Sequence, residues 1–280
     1  MPAFDSPESS PPLDPIEVSA DLAPLPSLKS KGDTTVDFDG QLTTPLKLHE
    51  DVRTGCGGQT WPAGMLLGKH LLRYHREELQ DARILELGSG IGLVGLGVLL
   101  GCGVHAKMLI TDQLEMLALM KLNIERNEVQ GQASALILNW WVFHVILLFC
   151  QTDDLLLPYQ PLTDQHRGEP LPQEVVEQKP DVIIAAECVY FEPAFPLLMQ
   201  TLRDLFALNA DATVYFCFKK RRRADMNFVK MAKKAFRVEE LFDEDRPVFQ
   251  RQGLFLFSFK SKHSSSRAAI GTSRVEEGLS

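Results

Sequence analysis

No two of the five cysteines (Cys56, Cys102, Cys150, Cys188, Cys217) form a C-x-x-C pair, and their number is odd. Most sit inside apolar runs, where a reduced thiol behaves as a small hydrophobe. This disfavours a disulfide framework and a zinc site, and points to a reducing compartment. Positive charge is scarce as well. Lys and Arg number 29 against 37 Asp and Glu, a net charge of −8, which argues against general nucleic-acid affinity because counterion displacement needs a basic surface. The N-terminus carries Asp5 and Glu8 where a secretory signal would be basic, and no apolar segment follows. The apolar stretch WVFHVILLFC (141–150) is far too short to span a bilayer. A membrane partner is therefore not expected, and a cytoplasmic location is.

What is present is ordinary for a soluble enzyme: 280 residues, 45% hydrophobic and 24% charged. A domain of this size buries well over half of its unfolded surface and needs no covalent staple. Residues 1–33 hold seven prolines among scattered Ser, Asp and Glu, too little apolar surface to offset ordering, so they read as a disordered tail. Residues 261–280 read as a second tail. The body, 34–260, alternates strand and helix signals, the pattern of a doubly wound, mostly parallel α/β sheet. Strands are expected at 82–87, 107–112, 134–140, 181–186, 212–218 and 253–260, apolar enough to be buried on both faces. Helices are expected at 62–75, 91–101, 113–127, 193–208 and 224–236. Phe195, Leu198, Leu202, Leu205 and Phe206 fall at helical spacing and read as core. A stretch at 34–48 is expected to form a hairpin over the site. The forty residues between Trp140 and Asp181 fit no simple crossover. An extra buried helix, a lid, or an in-frame insertion over 141–167 (translated intron sequence, for instance) all account for them.

The strongest local signal is Glu86-Leu-Gly88-Ser89-Gly90-Ile-Gly-Leu-Val-Gly95, placed after a strand and opening a helix. Its glycines allow a sharp turn and close approach to a ligand facing the helix N-terminus. Gly88-x-Gly90 alone fits a dinucleotide as well as a methyl donor, or a plain turn. Glu86 tips the balance, because a carboxylate repels a pyrophosphate and attracts the ammonium of a methionine moiety. Asp112 ends the second strand, where it can bind a ribose or cap the next helix. Trp140 ends the third, where its face can cover an adenine or fill the core. Glu187 ends the fourth, at the ligand-binding edge of such a sheet, and needs a partner to offset desolvation unless it is a helix cap or surface residue. The basic run 219–223 is either a solvated face or a docking surface for an acidic protein.

Together, Trp61-Pro62, Glu86 to Gly95, Asp112, Trp140 and Glu187-x-x-Tyr190 resemble the seven-strand protein-lysine methyltransferases, in particular the subgroup acting on non-histone proteins. The Phe218-to-Met226 stretch is similar to fungal enzymes that methylate translation elongation factor 1-alpha. The resemblance covers about 34–140 and 168–260. It implies the class I S-adenosylmethionine-dependent fold, with Trp61, Gly88, Ser89, Gly90, Asp112, Trp140 and Ala186 at donor-binding positions. Glu187 and Tyr190 match the motif lining the lysine entry, and no metal is implied. The 141–167 segment departs from the family pattern. The chemistry requires a neutral lysine, which costs about 4.6 kcal/mol at pH 7 for a free pKa near 10.4; an apolar channel and a nearby sulfonium lower that cost.

A small-molecule methyltransferase and a non-catalytic donor-binding protein are the competing classes. The absence of a separate substrate domain disfavours the first, and Glu187 with Tyr190 the second. A nucleic-acid methyltransferase lacks its Asn/Asp-Pro-Pro-Tyr/Phe motif here. A monomer is expected, since no unexplained apolar surface stripe occurs outside 141–150.

Overall fold

The computed structural model describes residues 31–140 and 170–264. The expected tails and the 141–167 segment, including Trp141, lie largely or wholly outside the described residues. The chain opens with an antiparallel hairpin of β1 (Lys31–Val36) and β2 (Leu46–Asp51), paired from Lys31↔Asp51 to Val36↔Leu46. Then follow α1 (Pro62–Tyr74), β3 (Ile84–Leu87), α2 (Leu93–Cys102), β4 (Met108–Asp112), α3 (Leu114–Arg126) and β5 (Ala133–Ile137). The second half holds α4 (Gln173–Gln178), β6 (Val182–Ala186), α5 (Phe195–Leu208), β7 (Thr213–Lys219), α6 (Asp225–Ala235), β8 (Phe236–Glu240), α7 (Arg246–Arg251) and β9 (Leu254–Ser261).

Seven strands form one sheet in the order β5-β4-β3-β6-β7-β9-β8. The first five are parallel, and β9 runs antiparallel between β7 and β8. The order reverses between β3 and β6, the position where open α/β sheets leave a crevice at their carboxyl ends. Alternating side chains feed two cores. On β3, Ile84 faces the α1–α2 side with Leu67, Leu96 and Ile110. Leu85 and Leu87 face the other side with Phe195, Leu202 and Phe216. Phe216 stacks on Phe228 (5.2 Å) and Phe259 (5.0 Å), so β7, β9 and α6 share one aromatic layer.

Three local rules set the helices. Pro62 stands at the first turn of α1, where its missing N–H costs nothing. Left-handed Gly103 ends α2, its N–H bonded to the Leu99 carbonyl. The hairpin is held by Phe38, 1% exposed, whose ring lies against Gly68 of α1 and Gly97 of α2. A β-carbon at either position would stand 2.2 and 2.4 Å from the ring, so only glycine admits it. Lys47 N–H and His49 N–H also donate to Oδ1 of Asn127 (2.9 Å), just past the end of α3, and to Oδ1 of Asn123 (2.7 Å) on α3.

The structure corrects several expectations. The hairpin begins at Lys31 and packs on α2 and α3; the residues after it, 55–61, reach the site. The third strand ends at Ile137, short of Trp140. β8 went unread because Arg237, Glu239 and Glu240 make it a polar edge strand, protected by charge from further pairing. The six-residue helices α4 and α7 are too short to display a helical period.

Candidate active site

Trp61, Glu86, Gly88, Ser89, Gly90, Asp112, Trp140, Ala186, Glu187 and Tyr190 line one cavity of about 490 Å³ at the carboxyl ends of β3, β4 and β6. The loop after β3 is shaped by the strand beside it. Ser89 N–H donates to the Thr111 carbonyl (3.0 Å) and Gly90 N–H to Asp112 Oδ2 (2.6 Å). Gly90 has φ +58°, and a β-carbon there would stand 2.5 Å from the Gly57 carbonyl oxygen. Glycine is thus required at 90 both for the turn and for the 55–58 loop lying on it.

Asp112 does not cap α3. Its other oxygen accepts the adjacent Gln113 N–H (2.7 Å), and the helix has no side-chain cap. Burial pushes this carboxyl up to about 6, against hydrogen bonds from the Gly90 and Gln113 amides. Glu86, 1% exposed, points to the α2 face of β3. Its Oε2 accepts the Gly95 N–H (3.0 Å), while burial pushes it up to about 8. Two desolvated carboxyls in one cavity wall call for polar ligand groups to offset that cost. Trp140 is 4% exposed and belongs to the core around Leu138 and Cys188 while reaching the cavity. A β-carbon on Gly88 would stand 3.8 Å from Trp140 Nε1 and 2.8 Å from Cys188 Sγ, so indole and thiol close over the loop. Core filling and a place on the cavity wall are thus joined in one side chain.

Glu187 follows β6 in the left-handed region, φ +61°, with its N–H bonded to the Cys217 carbonyl (2.8 Å). A non-glycine residue in that conformation is strained and persists where surroundings over-determine it. Its side chain is 9% exposed. Oε1 accepts Arg221 Nη1 (2.6 Å) and Lys219 N–H (3.2 Å); Oε2 is buried with no hydrogen-bond partner among the described residues. The Tyr190 phenol meets the Cys56 thiol, and burial drives its pKa well above the usual phenol range.

The lysine methyltransferase family model matches residues 41–157 and 163–235. The chain belongs to that family. Protein-lysine N-methyltransferase EFM6 of Saccharomyces cerevisiae is 37% identical over 233 residues, covering 76% of this chain and 84% of the relative. Protein N-lysine methyltransferase METTL21A of Danio rerio is 27% identical over 227 residues, 80% of this chain and 89% of its own. EEF1A lysine methyltransferase 3 of Mus musculus is 26% identical over 190 residues, 67% of each chain.

In this lysine methyltransferase the basic run is not one uniform face. Arg221 turns inward to Glu187. Arg222 donates to the Tyr190 carbonyl and to Asp225 Oδ1 (3.0 Å). Lys219 is half-buried, and Lys220 and Arg223 are left as exposed cations with no ion pair among the described residues. Sequence reasoning also missed Gly55, Cys56 and Gly57, and Gln113, Glu115 and Met116 at the start of α3, all on the cavity wall. The Gly55-Cys-Gly-Gly58 cluster was the available signal for the first group. Among the described residues, no group of three His, Cys, Asp or Glu is placed to hold a metal ion, and no helix is long and apolar enough to cross a membrane.

Proposed function

We propose that this enzyme is a protein-lysine N-methyltransferase that takes its methyl group from S-adenosylmethionine and acts on translation elongation factor 1-alpha. The observation carrying the reaction is that one cavity joins the glycine loop and Asp112 to the buried Glu187 carboxylate, one oxygen of which has no hydrogen-bond partner among the described residues. Asp112 suits the ribose hydroxyls, Glu86 the methionine ammonium, and the Gly88–Gly90 turn the close approach of the donor's backbone-facing edge. Trp140 suits the adenine. The donor supplies an electrophilic methyl on a sulfonium. The lysine nitrogen, after losing its proton to solvent, uses its lone pair to form the new N–C bond. The S–C bonding pair stays on sulfur, and the product amine leaves protonated.

In this reading Glu187 accepts an N–H of the incoming amine and Tyr190 walls the channel, so the rate comes from alignment more than from base catalysis. The elongation-factor assignment is supported by the resemblance of the 218–226 stretch and by the name of the mouse relative. The Lys220 and Arg223 surface suits an acidic protein partner, and the enzyme is read as a monomer that binds neither nucleic acid nor membrane directly.

Incubation with labelled donor and purified elongation factor 1-alpha, beside whole-cell extract, tests the substrate. Label confined to other proteins overturns the target; label in RNA or metabolites overturns the protein class. Glu187→Ala is expected to suppress turnover at least tenfold with donor affinity within a few fold, and unchanged turnover removes Glu187 from the mechanism.

A further inference from the structure

The loop after β7 is fixed from below. Asp225, fully buried, accepts the amides of Arg221 and Arg222 on Oδ2, both at 2.8 Å, and Lys220 N–H donates to the Gly253 carbonyl at 2.8 Å. So anchored, Arg221 sends its side chain back across the cavity mouth. Its guanidinium donates to Glu187 Oε1 (2.6 Å) and lies 5.3 Å from the centre of the Trp61 ring. Trp61 is itself held by its indole N–H on the Cys56 carbonyl (2.8 Å). The contact is one-sided: Oε1 takes both the guanidinium and an amide, while Oε2 takes nothing among the described residues.

We propose that Arg221 is a positioning residue that cancels the charge of Glu187, so that the carboxylate directs the substrate lysine without holding it protonated. The inference rests on the assignment of Glu187 to the lysine amine. A bare carboxylate about 4 Å from an ammonium, at an effective dielectric of about 20, raises the amine pKa by roughly three units. That is the wrong direction for a nucleophile whose lone pair must be free. A guanidinium already paired with Oε1 removes most of this attraction and leaves Oε2 as a neutral-amine acceptor. The N–H bonded there turns the lone pair away from Glu187.

The other groups facing Glu187 do not supply this charge. The Cys188 and Cys217 thiols and the Tyr190 phenol are driven far up by burial and stay uncharged. Lys219 contributes its backbone amide, and Arg222 is committed to Asp225. Asp112 and Glu86 are carboxyls, of the opposite sign.

The test is the pH–rate profile at saturating donor and substrate, from pH 6.5 to 10.5, of wild type, Arg221→Gln and Arg221→Lys. Thermal unfolding and donor titration serve as controls. Arg221→Gln is expected to move the rising limb at least about one pH unit alkaline. Its kcat falls at least tenfold at pH 7 and recovers towards wild type at pH 10. Arg221→Lys keeps a charge at the site, and its limb lies closer to wild type. A pH-independent loss in Arg221→Gln, or no loss, overturns the proposal. If that variant does not fold, Arg221→Met is read by the same criteria. Glu187→Ala run alongside separates the two ideas: full turnover there discards the underlying assignment, whereas loss there with an unshifted Arg221→Gln profile discards only the role of Arg221.

Discussion

Glu86 and Gly95 are locked together: the carboxylate accepts the Gly95 amide at 3.0 Å, and a β-carbon at position 95 would stand 2.5 Å from the same oxygen. The floor of the cavity is therefore set by a missing methyl on α2. Gly95→Ala gains about 1 kcal/mol of helix propensity but drives Glu86 out of place. Donor affinity is expected to fall at least tenfold while the far-ultraviolet circular dichroism stays intact. Calorimetric titration checks this, and unaltered affinity would show that Glu86 is not held by this contact.

The same burial gives the site a pH signature. Glu86 is raised to about 8 from 4.5 and Asp112 to about 6 from 3.8. Groups raised in the folded state contribute fully below their unfolded values, and that contribution is lost as pH climbs through the folded ones. The unliganded protein should thus lose stability from about pH 4 towards 8, and Glu86→Gln should flatten the upper part of that slope. With the donor ammonium at Glu86, as proposed, binding favours the carboxylate, so donor affinity should rise with pH up to about 8, by at most about tenfold per unit. Titration at pH 7 in buffers of different ionisation enthalpy should register proton release on binding; none would detach Glu86 from the ligand.

Lys220 and Arg223, exposed and without an ion pair among the described residues, are available to steer a substrate. The double variant Lys220→Glu/Arg223→Glu should raise the KM for the protein substrate severalfold, less so at high salt. Donor affinity should not change. Steady-state kinetics at two ionic strengths decide it, and an unaffected KM would place the docking surface elsewhere.

Much of this was legible beforehand because the chain announces it locally. β3, β4, β6 and β7 are mostly apolar, since both of their faces are covered. Asp112 and Glu187 follow directly as polar residues ending apolar strands. The rest depends on contacts distant in sequence. Nothing near Arg221 reveals that Asp225 pins its backbone or that Glu187, 34 residues earlier, receives its guanidinium. The 55–58 loop meets the Gly88–Gly90 turn through the approach of Gly57 to Gly90, beyond any periodicity. β8 carries charges on an exposed edge, where hydropathy gives no strand signal.

The parallel pairing of β3 with β6, from Ile84↔Val182 to Leu87↔Ala185, stitches together two stretches separated by the whole run 141–169. One stretch brings Glu86, the Gly88–Gly90 turn, Asp112 and Trp140 to the cavity wall and the other Glu187, Tyr190 and Arg221. Neither lines the whole cavity, so methyl transfer should double as a readout of assembly: a polypeptide severed between Trp140 and Pro170 is expected to regain activity only to the extent that its pieces rejoin along that seam.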